Sequence, residues 1–559
     1  MGGFTVLREL SSRVWVSLYI YRDLLVTGSL LVIAVVIFRL QRKHAPYPPG
    51  PKPLPFLGNV FDLPKQGEQE WHFWARHKRL YGPISSIKVF GSRIVITTNR
   101  FRTFINSLGR RHLAQNLILF NPSKSDVRYF KYLRPHLVLQ VIYGRKCTVG
   151  AIIMKMTYGY IAERKDTDPA IKLVEELLYQ FSISIQPGRW FVDYLPALKY
   201  IPEWVPGAGF KKIAREYRKI LIESAERPYA FARMQLASGN ARPSLVTTFL
   251  GSEPSPEEER IMKRTALAVY GAGADTSVSA ISTFYLAMAL FPRVQRKAQE
   301  EIDSVIGDGR FPTTEDRKEL PYIDAIVKET LRWHPVVPLS IPHAASRGNI
   351  YNGYFIPKGS IVIPNVWGFT HDPEIYHEPM EFKPERFFET EDCAPEMDPH
   401  MLAFGFGRRI CPGRDFADIS LYLNIAMSLS VFDITKPPGS NLEARFTAAM
   451  LSHPEELKVD IVVRSTKAES LIRSVEVEHP YEASDSKAFM GVKKLSFQIS
   501  DSVYGSPVLL TYIANFAGLG RLICLHLYPI DFMCIIDSLN ATFSRIKRML
   551  AVTEVIRHK

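Results

Sequence analysis

The residues most able to do chemistry lie between Phe404 and Gly413, in the run FGFGRRICPG. Glycines at 405, 407 and 413 surround Cys411, and they let the backbone turn tightly and approach a flat ligand, because glycine has no Cβ. Backbone N–H groups of such a turn, with the N-terminus of a following helix, favour the thiolate over the thiol. A thiolate is one of the axial ligands of haem iron in proteins. The spacing therefore predicts a haem-iron ligand at Cys411.

Two other side chains of this run support the same prediction. Arg409 lies two residues before the cysteine and could donate a charge-assisted hydrogen bond to a haem propionate. Phe404 would pack beside the sulfur and limit the access of water. A buried, unreactive cysteine is the alternative, since a lone intracellular cysteine is usually structural. The haem site is the better interpretation because five fixed residues in ten positions rarely coincide by chance, namely Phe404, Gly407, Arg409, Cys411 and Gly413.

A second group of polar residues lies inside a long apolar segment. Ser255, Pro256 and Glu258 form a capping-box pattern, and the apolar run then continues to Phe291, before Pro292. This pattern predicts one long helix.

The middle of that helix reads GAGADT, from Gly271 to Thr276. Each mid-helix glycine costs about 1 kcal/mol relative to alanine, so we expect a compensating need, such as bare backbone against a planar cofactor. Taken alone, Thr276 is expected to bond back to the carbonyl of Ala272, as a mid-helix threonine usually does.

A third pattern predicts an ion cluster. The run PYIDAIVKETLRWH predicts a helix over 321–334, in which Glu329 and Arg332 lie three residues apart on one face. An exposed pair of this type contributes only tenths of a kcal/mol, so the spacing alone is weak evidence. Arg386, in FKPERF, could complete a Glu–Arg–Arg cluster.

In their order along the chain, which is the long helix, the Glu329–Arg332 pair, the Arg386 run and the cysteine loop, these motifs resemble the cytochrome P-450 family. The resemblance is strongest to the fungal microsomal cytochrome P-450 monooxygenases of secondary metabolism and xenobiotic oxidation. The resemblance covers roughly residues 44–99 and 151–482. It implies a mainly α fold with small β sheets and haem b (iron protoporphyrin IX) as cofactor. It also implies that one atom of O₂ enters an apolar small molecule, with electrons from an NADPH-dependent reductase.

The resemblance also implies residue roles. Cys411 would be the axial ligand, with Ala272 and Gly273 beside the cofactor and His343 on a haem propionate, although a surface histidine is nearly as common. Thr276 would hold dioxygen, and Asp275 would help relay protons to it. Glu329, Arg332 and Arg386 would lock the loop that carries the cysteine, as structural support.

The N-terminal part predicts a membrane anchor. The apolar run 24–40 follows an N-terminal segment, 1–23, and is near the short end for a span of about 20 residues. A cleavable signal peptide is the alternative, but no small-residue cleavage site follows the run. The proline-rich stretch 41–59 predicts a stiff, non-helical hinge. With the resemblance, this predicts a single-pass protein of the endoplasmic reticulum membrane, whose catalytic domain, 60–482, faces the cytosol.

The charge balance limits the classes of partner that are expected. A formal net charge of +14 suits an acidic reductase and the anionic surface of a lipid bilayer. Nucleic acid is not expected as a partner, since no zinc-like Cys/His spacing or RNP-type strand is present. The five cysteines are few, odd in number and scattered, which indicates a reducing compartment.

Two regions depart from the family. Residues 100–150 are strongly basic around the single acid Asp126, and Phe130 with Arg134 is the nearest match to the family's W-x-x-x-R element. A haem-binding but catalytically inactive relative is therefore an alternative, and a haem-thiolate isomerase or dehydratase a weaker one, because Asp275 and Thr276 are intact. Residues 483–559 form a C-terminal extension of unknown role, whose sequon at Asn540 should stay unmodified in the cytosol.

Overall fold

The computed structural model describes residues 45–65, 67–98, 147–163, 168–185, 189–391, 393–478 and 482–492. Several predictions fall outside the described residues. They are the N-terminal segment 1–23, the anchor 24–40, nearly all of the atypical segment 100–150 with Phe130 and Arg134, and the C-terminal residues 493–559 with Asn540.

The described residues are mainly helical. The α-helices are, in chain order, α1 (Glu70–Tyr81), α2 (Cys147–Tyr158), α3 (Pro169–Ser184), α4 (Phe191–Tyr194), α5 (Phe210–Ala237), α6 (Leu245–Leu250), α7 (Pro256–Leu290), α8 (Pro292–Val305), α9 (Pro321–Trp333), α10 (Val366–Thr370), α11 (His400–Ala403), α12 (Arg414–Val431), α13 (Thr466–Glu478) and α14 (Ser486–Gly491). Short 3₁₀ turns lie at Val60–Asp62, Pro196–Tyr200, Glu315–Glu319, Pro384–Phe387 and Gly407–Arg409.

Three small sheets complete the fold. The largest has the strand order β1 (Ile84–Val89), β2 (Ser92–Thr97), β6 (Ile361–Pro364) and β3 (His343–Ala344), in which only the β2–β6 pair is parallel. The other two are antiparallel pairs, β4 (Asn349–Tyr351) with β5 (Tyr354–Ile356), and β7 (Phe432–Thr435) with β8 (Asp460–Val463). The predicted mainly α fold with small sheets is confirmed for the described part of the chain.

No helix in the described ranges has, by itself, both the length and the apolar character of a membrane span. The pair α7 and α8 meets that test only when the two are taken together, and they are bent by 104° at their junction.

Helix α7 is the central element of the core. It begins where the sequence predicts, since Ser255 accepts a hydrogen bond from the Glu258 N–H at 3.4 Å and the Glu258 carboxylate accepts one from the Ser255 N–H at 2.9 Å. It packs against α12, and the Tyr285 hydroxyl lies 3.0 Å from the Ser428 hydroxyl across that contact. Helix α12, which begins just after the Cys411 loop, is therefore fixed against α7.

Residues 49–59 of the predicted hinge form no helix and lie along strand β1. The Ser86 N–H donates to the Pro49 carbonyl at 2.7 Å, and Gly58 bridges to Val89. A Cβ at Gly50 would lie 1.9 Å from the Ser86 carbonyl oxygen, so only glycine allows this approach. This half of the stretch is bonded to the sheet edge.

The described residues fall into two compact units, one with 45–48 and 348–356, and one with the rest. In the first unit, the described residues are 45–48 and the β4–β5 hairpin, where the Phe355 N–H donates to the Pro46 carbonyl at 2.7 Å. The second unit holds the remaining described elements.

The first residues of the predicted C-terminal extension belong to the core of the second unit. Asp485 accepts hydrogen bonds at 2.8 Å from the Ile161 N–H and from Arg242. Phe489 is fully buried, with the Arg227 guanidinium 4.5 Å from its ring centre. The packed chain therefore continues past residue 482 to at least 492.

Candidate active site

The loop that carries Cys411 is held by its own backbone. The Cys411 N–H donates to the Phe404 carbonyl at 2.8 Å, which closes the loop around a 3₁₀ turn. Gly405 and Gly407 adopt φ values of +76° and +59°, a region that side-chain-bearing residues rarely occupy. Phe404 packs against the main core, and Phe406 is buried in a separate apolar cluster. The glycines predicted from sequence are therefore required by the turn.

The sulfur is partly buried, immediately before α12. Burial raises the pKa of the Cys411 thiol above its usual range, while a hydrogen bond from the Gly413 N–H and the charge of Arg414 act in the opposite direction. The predicted N–H donor is present, but burial has the larger effect. Coordination by a metal ion favours the thiolate directly. A Cβ at Gly413 would lie 3.9 Å from the sulfur, an ordinary van der Waals distance.

His343 lies within electrostatic range of Arg409. Burial, together with the positive charge of Arg409, lowers the pKa of His343 to about 4. His343 reaches this place because β3 pairs with β6, opposite Val362. An imidazole and a guanidinium that repel when both are charged make a suitable pair of donors for an anionic group such as a propionate. The structure thus brings together two residues that the sequence predicted separately.

The glycines of α7 lie close to neighbouring helices. A Cβ at Gly273 would lie 2.8 Å from the Ile153 side chain of α2, and one at Gly271 would lie 3.7 Å from Leu178 of α3. A Cβ at Gly271 would make only an ordinary van der Waals contact, whereas one at Gly273 would require the Ile153 side chain to shift. Contact of Gly273 with a cofactor stays a prediction. Ala272 is exposed in the middle of α7 and remains the candidate for cofactor contact.

Thr276 bonds back to its own helix, as a mid-helix threonine is expected to do. Its hydroxyl donates to the Ala272 carbonyl at 2.6 Å. Because the hydroxyl proton is used in this bond, the oxygen can still accept a hydrogen bond from a water or a protonated ligand. The helix bond and the predicted role in dioxygen chemistry are therefore compatible.

Asp275 has a partner that sequence reasoning missed. The His453 Nε2 lies 3.3 Å from its Oδ2, although the two residues are 178 positions apart. Asp275 and Thr276 are neighbours on α7, so the histidine lies beside the predicted acid–alcohol pair. No local spacing signals this contact.

The Glu–Arg–Arg cluster is buried. Arg332 is fully buried and uses all five of its N–H groups. Two donate to the Glu329 carboxylate at 2.7 and 2.8 Å. The other three donate to the carbonyls of Thr370, Pro379 and Glu381 at 2.7–3.0 Å.

Arg386 completes the cluster, as the sequence predicts. It donates from Nε to the Glu329 carboxylate at 3.2 Å and from Nη1 to the Glu396 carboxylate at 2.6 Å, and the Lys383 N–H donates to Glu329 at 2.7 Å. These bonds hold residues 370–396, the segment before the Cys411 loop. The cluster therefore supports the loop from its N-terminal side and makes none of these bonds to residues 404–413.

His400 is a further residue that the sequence did not single out. Its Nδ1 lies 2.6 Å from the Asp398 carboxylate and its Nε2 lies 2.9 Å from the Asp418 carboxylate. Burial alone lowers the pKa of His400, but these two hydrogen bonds outweigh it and raise the pKa to about 9. The ring also stacks on Phe404 at 5.8 Å between centroids. His400 thus ties the start of the cysteine loop to α12.

The folded protein should lose stability between pH 6.5 and 9.5, because of His400. Its pKa is raised in the folded state, so its contribution is complete below about pH 6.5 and is lost as the pH rises through about 9. A shift of this size corresponds to about 3 kcal/mol at most. The thermal unfolding midpoint should change less between pH 6.5 and pH 9.5 in His400→Gln than in the parent. An equal change of the midpoint in the two proteins would contradict this assignment.

These residues fit a haem group. The loop offers a sulfur ligand, Arg409 and His343 offer paired donors for a carboxylate, and α7 offers a short side chain at Ala272. When bound, thiolate-ligated haem supplies the activation of O₂. The side chains of the protein supply ligation, charge pairing and proton handling around it.

Comparison with known proteins gives the same result. The family model described as "Cytochrome P450" matches residues 147–461. The cytochrome P450 monooxygenase claR of Ampulloclitocybe clavipes is 41% identical over 490 residues, which is 78% of this chain and 91% of that protein. The cytochrome P450 monooxygenase ppsD of Aspergillus oryzae is 38% identical over 493 residues, 79% of this chain and 93% of that protein.

A third relative has a more specific name. The O-methylsterigmatocystin oxidoreductase of Aspergillus flavus is 36% identical over 515 residues, 83% of this chain and 97% of that protein. The predictions of a cytochrome P450 monooxygenase and of haem b as its cofactor are confirmed. On the sequence motifs, the mainly helical fold and these matches, the chain belongs to the cytochrome P450 family.

Proposed function

We propose that this protein oxidises an apolar small molecule of secondary metabolism, with O₂ and with electrons from an NADPH-dependent reductase. One observation carries the proposal: α12, which begins just after the Cys411 loop, is packed against α7, the helix that bears Asp275 and Thr276. The ligand loop and the polar pair thus belong to two helices in direct contact. A haem-binding protein without catalytic activity would not need an acid and an alcohol side chain on this helix.

The individual residues are assigned roles in the binding of haem and in its chemistry. Cys411 would hold the iron, and Arg409 with His343 would bind a propionate. Ala272 would lie beside the porphyrin, and the Thr276 hydroxyl would accept a hydrogen bond where O₂ is activated. Asp275 is the acid that passes protons towards it, because its carboxylate is partly exposed and lies one residue away on the same helix.

A membrane location is part of the proposal. The run 24–40 anchors the chain in the endoplasmic reticulum membrane, and the catalytic residues face the cytosol, where the reductase supplies electrons. Large aromatic side chains near α4 are exposed, among them Phe191 at 62% and Trp204 at 82%. Aromatic side chains of this kind are favoured at a membrane–water interface.

Incubation with labelled dioxygen tests the activity. The full chain in microsomes would be supplied with NADPH, reductase, ¹⁸O₂ and a panel of apolar metabolites, beginning with O-methylsterigmatocystin, which names one relative. A product that carries one ¹⁸O atom is expected. A thiolate-type haem spectrum without any product would favour the inactive relative, and a product formed without O₂ uptake would favour an isomerase or dehydratase.

Thr276→Ala should uncouple NADPH use from oxygenation. Without the hydroxyl, the acceptor beside the oxygen ligand is lost, so hydrogen peroxide released per NADPH should rise several-fold while product falls. Thr276→Ser, which keeps a hydroxyl, is the matched control and should stay near the parent. Unchanged coupling in the alanine variant would leave Thr276 with only its helix bond to Ala272.

A further inference from the structure

The loop 446–454 attaches to α7 at two consecutive points, one helical turn apart. The Ser279 hydroxyl donates to the Ser452 carbonyl, and the next loop residue, His453, meets Asp275 at 3.3 Å. Asp275 and Ser279 lie four residues apart and therefore share one face of the helix. The loop thus runs along the α7 face that carries the Asp275 carboxylate.

Other contacts fix the position of His453 on this loop. The Thr447 N–H donates to the His453 carbonyl at 2.8 Å, and the His453 N–H donates to the Thr447 hydroxyl at 3.0 Å. Ser452 is fully buried, and its hydroxyl lies 2.8 Å from the His334 Nε2. An imidazole on such a braced loop holds its partner at a defined place, whereas a histidine on a free surface loop would not.

The His453–Asp275 pair is open to solvent on both sides. The side chains of His453 and Asp275 are 25% and 31% exposed. Among the described residues, none forms a hydrogen bond with the His453 Nδ1. One ring nitrogen therefore meets the carboxylate, while the other is left for water.

The neighbouring titratable groups do not compete for this role. His334 lies behind the loop, and burial, with repulsion from His72 and His453, lowers its pKa to about 3. His334 is therefore neutral at working pH and serves as a hydrogen-bond partner of Ser452. Of the described histidines, His453 is the one that bonds to the Asp275 carboxylate.

We propose that His453 is a positioning residue that orients Asp275 and supplies it with protons from solvent. The Nδ1 of the neutral ring takes a proton from water, and the imidazolium then passes its Nε2 proton to the Asp275 Oδ2. One proton enters and one leaves, and the ring returns to its first tautomer by exchange with solvent. This inference rests on the proposed function, since it names the source of the protons that Asp275 passes on.

Two substitutions separate orientation from proton supply. His453→Gln keeps an N–H donor near the carboxylate but cannot carry a proton through the side chain, and His453→Phe removes the donor while keeping a ring. His377→Gln is the control, because His377 is an exposed histidine that also pairs with a carboxylate, Glu396, at 2.9 Å. The substrate is the panel compound that gives labelled product with the parent.

Both His453 variants should release several-fold more hydrogen peroxide per NADPH than the parent, with a larger solvent isotope effect on product formation in D₂O. Substrate affinity by spectral titration should be unchanged in His453→Gln, and the control should match the parent. Coupling in His453→Gln equal to that of the parent would overturn the proton-supply role.

A measurement without turnover tests the contact itself. Thermal unfolding midpoints of His453→Phe, Asp275→Asn and the double variant should be non-additive, because the two side chains interact directly. Strict additivity would overturn the proposal. Failure of the proposed function would instead appear as absent turnover in the unsubstituted protein, so the two failures are distinguishable.

Discussion

Cys411→Ala should abolish the thiolate-type carbon monoxide spectrum and all monooxygenase activity. The Cys411 sulfur is the ligand that we propose for the iron, and an alanine methyl group cannot bind iron. The loop itself should survive, because the bond from the residue 411 N–H to the Phe404 carbonyl uses only backbone atoms. The effect is expected to be complete, because the proposed ligation depends on the sulfur. The reduced, carbon monoxide-treated protein gives the spectrum directly.

Cys393→Ala is the matched control for this experiment. Cys393 is also a free cysteine, but it is exposed and lies outside the 404–413 loop. It should keep the parent spectrum and activity, and circular dichroism should show that both variants are folded. A thiolate-type spectrum retained in Cys411→Ala would exclude Cys411 as the ligand.

Arg332→Ala should prevent accumulation of haem-loaded protein. Removing one partner of a buried ion pair typically costs about 3–5 kcal/mol, because the remaining charge is left uncompensated. Each carbonyl that loses its donor adds about 1–3 kcal/mol, and here three carbonyls lose one. The sum is comparable to the whole stability of a typical domain, about 5–15 kcal/mol. Haem content per purified protein and the unfolding midpoint measure the loss.

Arg332→Lys should lower the haem content and the unfolding midpoint nearly as much as Arg332→Ala. The reason is that an ammonium has three donors and cannot reproduce the planar guanidinium with its five donors. Lys328→Ala is the control from the same helix. Its pair with Asp324, at 3.0 Å, is partly exposed and four residues apart, so its loss should cost no more than about 0.5 kcal/mol. A normal haem content in Arg332→Ala would show that the cluster is not required for the fold.

The local elements could be predicted because their signals lie within a few residues. The cap of α7 at Ser255 follows from side chains three positions apart. Gly405 and Gly407 of the 404–413 loop follow in the same way from what a tight turn permits, because both have a positive φ. Such patterns depend on neighbouring backbone geometry, which sequence spacing reports directly.

The role of the α7 glycines could not be predicted in that way. Close approach of a cofactor and close approach of a neighbouring helix both favour a residue without a Cβ. Only the position of Ile153, on a helix more than a hundred residues earlier, shows that Gly273 lies close to a neighbouring helix. The packing of residues 482–492 was not predictable for a similar reason, since Phe489 contacts Tyr160 and Phe231, which lie far back in the chain.

By itself, the sequence predicted the iron ligand, and it determined the long helix with its polar pair, the ion cluster and the family. Only the tertiary structure decided the partners: His453 for Asp275, Asp398 and Asp418 for His400, and the three carbonyls for Arg332. The physical reason is that a motif encodes the geometry of its own turn or helix. A contact between residues far apart in the chain depends on how whole elements pack, and no spacing within a motif records that packing.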